Sequence, residues 1–386
     1  MKRITAALLI TLSISGCSTF EQMTSAIMPT KDTNPPKALK EFKATASART
    51  LWQVSTGSGV GKESVRIHPY ISGNGIFVAG GHSVSAWDKT SGKRLWQTTV
   101  DEEITAGVNG GEGVIFLGAD NGSAIALDQQ TGKTLWKVGL GNEVLAVSTA
   151  QNGVVAFRTS GDALYGLSTR TGEGLWRQAR QSPTLSLRGA STPLVVGNAV
   201  IAGFDSGVVA AFELQKGTEL WEIPLSVPRG SSDLDHMTDV DGKMKTLGEA
   251  LFAASYNGQI AGINMRTGGV AWAEPYSSYT GVDADPNGLY TSSDEGDLWK
   301  LDPQTGHPLW KMDDLERRQP TAPTLMGNYL VVGDKEGYLH WINTGTGQFA
   351  ARVRGDSAGY TVAPELDGSV VYTFGKSGLL SAFSVQ

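Results

Sequence analysis

The chain has 386 residues, including 49 Gly and 10 Trp, with only 18% charged residues and a formal net charge of -6. That acidic balance excludes the clustered Lys and Arg of a nucleic-acid footprint, and the glycine-rich, charge-poor composition suits many short strands joined by tight turns better than long helices or disorder. Length alone is compatible with one large repeat domain or with two or three average ones.

The N-terminus predicts export. Lys2 and Arg3 precede an apolar stretch from Ile4 to Ile14 that is too short to span a bilayer. Directly after it, Ile14-Ser15-Gly16-Cys17 resembles the bacterial lipobox, in which the Cys thiol is diacylated and the signal is cut just before it. Residues 1–16 therefore read as a lipoprotein signal peptide and Cys17 as the lipidation site. It is the only cysteine, so no internal disulfide, Cys-ligated zinc site or catalytic thiol is expected. Ser18 is not the Asp that retains lipoproteins at the inner membrane, so the expected location is the periplasmic face of the outer membrane. Residues 17–48 are polar, contain Pro29, Pro35 and Pro36, and read as a lipidated tether. Residues 49–386 read as the folded domain.

Within that domain the chain repeats at about forty residues, the signature of a repeat architecture. The unit is Ala-x-Asp-x-x-Thr-Gly-x-x-x-Trp, seen as Ala126-Leu127-Asp128 with Thr131-Gly132 and Trp136, and as Ala86-Trp87-Asp88 with Ser91-Gly92 and Trp96. Degenerate copies end at Trp176, Trp221, Trp272 and Trp310, and a seventh, Trp341-Ile342-Asn343 with Thr346-Gly347, ends at Ala351. Leu51-Trp52 carries the end of a motif and Ser381-Ala382-Phe383 the beginning of one. Together these halves make an eighth unit. The expectation is an all-β, eight-bladed β-propeller of four-stranded antiparallel blades, closed by pairing of the N- and C-terminal strands, which removes the open sheet edges of a linear array. Each Asp should bond the following turn, Gly should take positive φ, and Trp52, Trp96, Trp136, Trp176, Trp221, Trp272 and Trp310 should fill the wedges between blades as structural residues.

A short turn marks each unit, at Asn74, Glu112, Asn152, Asn198, Glu249, Asn287, Asn328 and Gly368. From marker to the next Trp position the spacing is 22 to 24 residues, whereas from a Trp position to the next marker it runs from 15 to 28. The variation therefore sits in connections that an antiparallel blade delivers to one face. The two longest successive connections, after Trp176 and Trp221, contain Leu185-Ser186-Leu187-Arg188-Gly189 and Asp239-Val240-Asp241. Leucines, an arginine and paired carboxylates on adjacent loops fit a docking patch on a rigid scaffold. They also fit solvated loops with local Arg–Asp pairing.

Lipobox, Trp repeat and these two loops in this order resemble the BamB family, the lipoprotein subunit of the outer-membrane β-barrel assembly machinery. The resemblance implies a non-catalytic scaffold without cofactor, in which Leu185, Leu187, Arg188, Asp239 and Asp241 contact a periplasmic POTRA domain of BamA, with the other machinery subunits and unfolded outer-membrane proteins as further partners. The Trp repeat alone is shared with quinoprotein dehydrogenases, which implies the alternative of a periplasmic dehydrogenase holding a quinone and calcium at the propeller centre.

Other constellations carry less. Gly355-Asp356-Ser357-Ala358-Gly359 has the G-x-S-x-G spacing but lies between propeller strands rather than at a strand-to-helix elbow. Asp283-x-Asp285-x-Asn287-Gly288 with Asp294 has the look of a calcium loop, yet its Asn-Gly is in register with the repeat turns and no EF-hand helices flank it. The five histidines have no metal-ligand spacing, so no metal site is expected.

Overall fold

The structure is a computed structural model that describes residues 34–60, 66–226 and 237–386; the lipobox and Cys17 lie outside the described residues. Every regular element among the described residues is a strand. The strands form eight four-stranded antiparallel sheets, seven of them in sequential order, arranged as the blades of an eight-bladed propeller. Blades 1 to 7 cover residues 70–99, 104–139, 144–179, 194–224, 245–274, 282–312 and 324–354. Blade 8 takes its three inner strands from residues 365–385 and its outermost strand from Ala48–Ser55, which pairs with Leu379–Val385.

The middle strands of a blade have a neighbouring sheet on both faces, and their sequences are correspondingly apolar throughout. Val154–Thr159 and Gly75–Gly80 are buried at every position, whereas the outer strand Arg94–Thr99 alternates between exposed and half-buried. The core is therefore a ring of inter-blade wedges rather than a single centre. One of these wedges joins Phe374 and Leu380 of blade 8 to Val78 and Val84 of blade 1 and Ile115 of blade 2.

The repeat motif is the clamp between successive blades. In blade 2, Asp128 Oδ1 accepts hydrogen bonds from the backbone N–H groups of Gln130 and Thr131 at 3.1 and 2.8 Å and from the Thr131 hydroxyl at 2.7 Å. The Thr131 hydroxyl and backbone bonds hold the Asp128 carboxyl below the usual range, against a smaller opposing effect of burial. Gly132 follows at φ 69°. Its bare Cα lies over the Trp96 ring of blade 1, and a Cβ there would come within 2.5 Å of it. The indole N–H groups of Trp52, Trp96, Trp136, Trp176, Trp221, Trp272 and Trp310 each donate to a carbonyl in the corresponding turn of the next blade, at 2.6–3.1 Å. Each Trp also faces a small residue on its own blade's third strand, such as Ala86, Ala126, Gly166, Ala211, Gly262 or Ala382, with Lys300 opposite Trp310 the exception in size.

Blade 7 inverts this pairing: Trp341 is on the third strand and Ala351 on the outer one. The reason lies in blade 8, whose two outer strands are the chain termini and have no Thr-Gly turn under which an outer-strand indole could lie. Residues 37–47 run past this place instead. The Thr45 and Ala46 N–H groups both donate to the Ala350 carbonyl, and Phe42 packs on Phe349 with ring centroids 5.3 Å apart. Ser47 and Gln386 exchange two backbone hydrogen bonds that extend the closing pair.

Candidate functional site

The connections from each outer strand to the next inner strand emerge on one face. Two of them, residues 180–193 and the described part of the next, residues 237–244, come together there. Leu187 donates its backbone N–H to Asp239 Oδ1 at 3.0 Å. Two residues on, Gly189 approaches Asp241 so closely that a Cβ would stand 2.7 Å from Oδ2. Asp239 and Asp241 are 0% and 3% exposed. Asp239 holds the 185–189 segment through that bond, and Asp241 packs beneath Gly189.

Leu185 is 42% exposed. Among the described residues it is the single exposed large apolar side chain away from the rim, the others being Leu51, Leu95, Leu135, Leu175, Leu220, Val270 and Leu309 on the outer strands. Leu187 is half-buried, and Arg188 is paired with Glu143 at the entry to blade 3. Leucines and guanidinium thus share one patch, with the arginine already oriented by a carboxylate of its own chain.

Below the loop lies a charged layer that the repeat pattern did not reveal. Arg158 sits in the otherwise apolar strand Val154–Thr159, fully buried, stacked 4.6 Å above the Phe204 ring. Its Nη2 donates to Asp162 Oδ1 at 2.9 Å and to Asp205 Oδ1 at 3.0 Å. Asp205, Asp239 and Asp241 converge from the second-to-third-strand turn of blade 4 and the 237–244 segment. Burial pushes each of their carboxyls up to about 7, with Arg158 opposing at Asp205 and Arg66 at Asp241. An arginine in a strand buried at all six positions was the available sequence signal for this layer.

The propeller axis holds a cavity of about 410 Å³ lined by all eight blades or the connections that enter them. Two of its cations are engaged with the protein itself. Arg66 donates to the Tyr279 carbonyl at 3.1 Å, and Lys243 lies 3.4 Å from Asp283. Burial, with Lys243 and Arg66 adding to it, pushes His68 down to about 4, while burial pushes Glu365 up to about 7. The Asp283–Asp294 stretch is a hairpin followed by a turn rather than a calcium loop: Asp283 is bridged to Lys245 at 2.6 Å, and Asp294 accepts the Tyr279 N–H at 2.8 Å.

Comparison with known proteins places this geometry. A family profile described as "Outer membrane protein assembly factor BamB" matches residues 42–106 and 80–312. The chain belongs to the BamB family. The BamB of Pseudomonas aeruginosa is 42% identical over 382 residues, covering 99% of this chain and 98% of its own, and that of Escherichia coli is 33% identical over 374 residues, covering 94% of each. The crystal structure of BamB from Moraxella catarrhalis superposes with a TM-score of 0.81 at 27% identity, covering 88% of this chain and all of that one. A quinohemoprotein alcohol dehydrogenase from Comamonas testosteroni also superposes, with a TM-score of 0.69 at 14% identity over 87% of this chain and 76% of its own, and shares the fold alone. The full-length relatives are named as an assembly factor and not as an enzyme, so the dehydrogenase alternative gives way to the BamB assignment.

Proposed function

We propose that this chain is a non-catalytic scaffold of the outer-membrane protein assembly machinery, anchored through lipidated Cys17 and docked on a periplasmic POTRA domain of BamA. The observation that carries the docking reading is the isolated exposure of Leu185 on the loop that Asp239 holds through the Leu187 N–H. A half-buried Leu187 and an oriented Arg188 complete a small apolar and cationic anchor of the kind that dominates protein interfaces. Asp239 and Asp241 act in this reading as positioning residues, because holding the loop in its bound shape lowers the ordering cost of association. Titrating the full chain and its loop variants against the BamA periplasmic domains tests it. Unchanged affinity in a Leu185→Ala, Leu187→Ala double variant would overturn the assignment.

A second role uses the rim. The outer strands leave one edge unpaired and carry the regularly spaced exposed leucines Leu95, Leu135, Leu175, Leu220 and Leu309. Extended segments of unfolded outer-membrane proteins could add to such edges by β-augmentation. Crosslinking from Leu135 to a stalled β-barrel substrate is the test, and failure to crosslink from any rim leucine removes this role.

A further inference from the structure

Asp205, Asp239 and Asp241 each bring one carboxylate oxygen to within 4.8 Å of the other two, and all three are buried. Acidic residues often cluster without purpose, but here the oxygens are left over. Both carboxylate oxygens of Asp241 and Oδ2 of Asp239 are shielded from solvent and have no hydrogen-bond partner among the described residues. Other buried aspartates in the same propeller are treated differently: Asp334 accepts from Arg318 and His340, and Asp356 from the Ser377 N–H and hydroxyl. Charge is unbalanced as well. Arg158 directs Nη2 to Asp162 and Asp205 and reaches neither Asp239 nor Asp241 with a hydrogen bond, while Arg66 donates to the Asp241 backbone carbonyl at 3.4 Å and not to its carboxylate. Buried carboxylates in excess of their counter-charges must take up either protons or a cation.

We propose that Asp205, Asp239 and Asp241 bind a hard divalent cation, and that the burial of the site selects calcium. An all-carboxylate donor set favours Ca²⁺ or Mg²⁺ over softer metals. Magnesium dehydrates reluctantly and keeps several waters, whereas calcium accepts a flexible set of protein oxygens, so a buried carboxylate cage suits calcium. The bound ion ties the blade 4 turn that carries Asp205 to the 237–244 segment, directly beneath Gly189 and the Leu187 N–H. The site depends on these residues alone and stands whether or not the loop above it docks on BamA.

The test is calorimetric titration of CaCl₂ into the full chain, purified in detergent and stripped with EDTA, with melting curves taken alongside. One calcium per chain and a higher melting temperature are expected, with Asp241→Asn and Asp205→Asn each weakening binding at least about tenfold. Asp285→Asn, in the calcium-loop look-alike, should leave binding unchanged. No heat and no thermal shift with the unaltered chain overturns the proposal. So does binding that survives both Asp241→Asn and Asp205→Asn, or that is lost in Asp285→Asn. Should the asparagine variants fail to fold, the stoichiometry and thermal shift of the unaltered chain decide.

Discussion

Trp341 faces Ala351 across the outer strand pair of blade 7, while in the closing blade Ala382 faces Trp52. The large and small partners have changed places, and the indole pays for the exchange: Trp341 is fully buried and its N–H has no acceptor, whereas Trp136 donates to the Thr169 carbonyl at 2.9 Å. Replacing Trp341 by Phe removes an unsatisfied donor, and replacing Trp136 by Phe orphans a carbonyl. Trp341→Phe should therefore be milder than Trp136→Phe by about 1 kcal/mol, while either residue changed to Ala should lose about 3–5 kcal/mol. Urea unfolding of the four variants decides; equal losses for the two Phe variants would contradict the account.

The docking loop gives a prediction about mechanism as well as affinity. Leu187→Ala and Arg188→Ala should each weaken BamA binding at least about tenfold, as central apolar and arginine anchors do. Asp239→Ala should weaken it too, but without the salt dependence of a rim charge, because the carboxylate is buried and acts through the Leu187 N–H. Affinity of Asp239→Ala that falls more steeply with salt than that of the unaltered chain would mean the carboxylate meets the partner directly.

In blade 7, His340 is fully buried; its Nδ1 accepts from Arg352 Nε at 3.1 Å, and its Nε2 lies 2.9 Å from Asp334 Oδ2. The arginine donor assigns the proton to Nε2. Burial lowers the His340 pKa, with Asp334 opposing and Arg352 and Arg318 adding to the fall. A folded-state value below the unfolded ~6.5 means that the unfolded chain binds the extra proton first, so this group's stabilisation is present above ~6.5 and lost as pH falls toward the folded value. Between about pH 7 and about pH 5 the unaltered chain should lose more stability than His340→Gln. The His340 ring signals, followed by NMR, should titrate below the ordinary histidine value of about 6.5.

Residues 37–47 should stabilise the ring despite their irregular backbone. Phe42 packs on Phe349, and Arg352 stacks over Phe42 at 4.9 Å while donating to the Lys40 carbonyl at 3.2 Å. Phe42→Ala should cost about 1–2 kcal/mol, less than a fully buried aromatic because the ring is partly exposed. A melting temperature unchanged by Phe42→Ala would show that these contacts contribute nothing.

The proposed lipid anchor has its own assay. Cys17→Ala should abolish fatty-acid labelling and leave an uncleaved or soluble product, and continued labelling of that variant would exclude acylation at this position.

The blade frame was legible because its motif is compact, with Asp, Thr-Gly and Trp lying within eleven residues of one another, and because the same contact to the next copy recurs in blade after blade. The blade 7 exchange was half visible, since the missing Trp stood out at Ala351 while its replacement at Trp341 looked like an ordinary strand residue. The two loops of the proposed docking patch stood out by their length. Their internal order did not, because whether Asp239 meets a partner or its own chain depends on burial contributed by blades 3 and 4. Leu39 and Phe42 were the apolar signals in a stretch that otherwise reads as polar and irregular.

The closing blade also sets an order of events in folding. Thr56 bonds Gly378 across 322 residues of chain, and Ala48 pairs with Val385, so the first strand has no partner until the last one exists. A chain that crosses a membrane N-terminus first must keep Ala48–Ser55 waiting while seven blades are delivered. Throughout that interval two sheet edges stand open to other chains. Such contacts between residues remote in sequence are slow to form, and the vulnerable period ends only when Leu379–Val385 arrives to shut the ring.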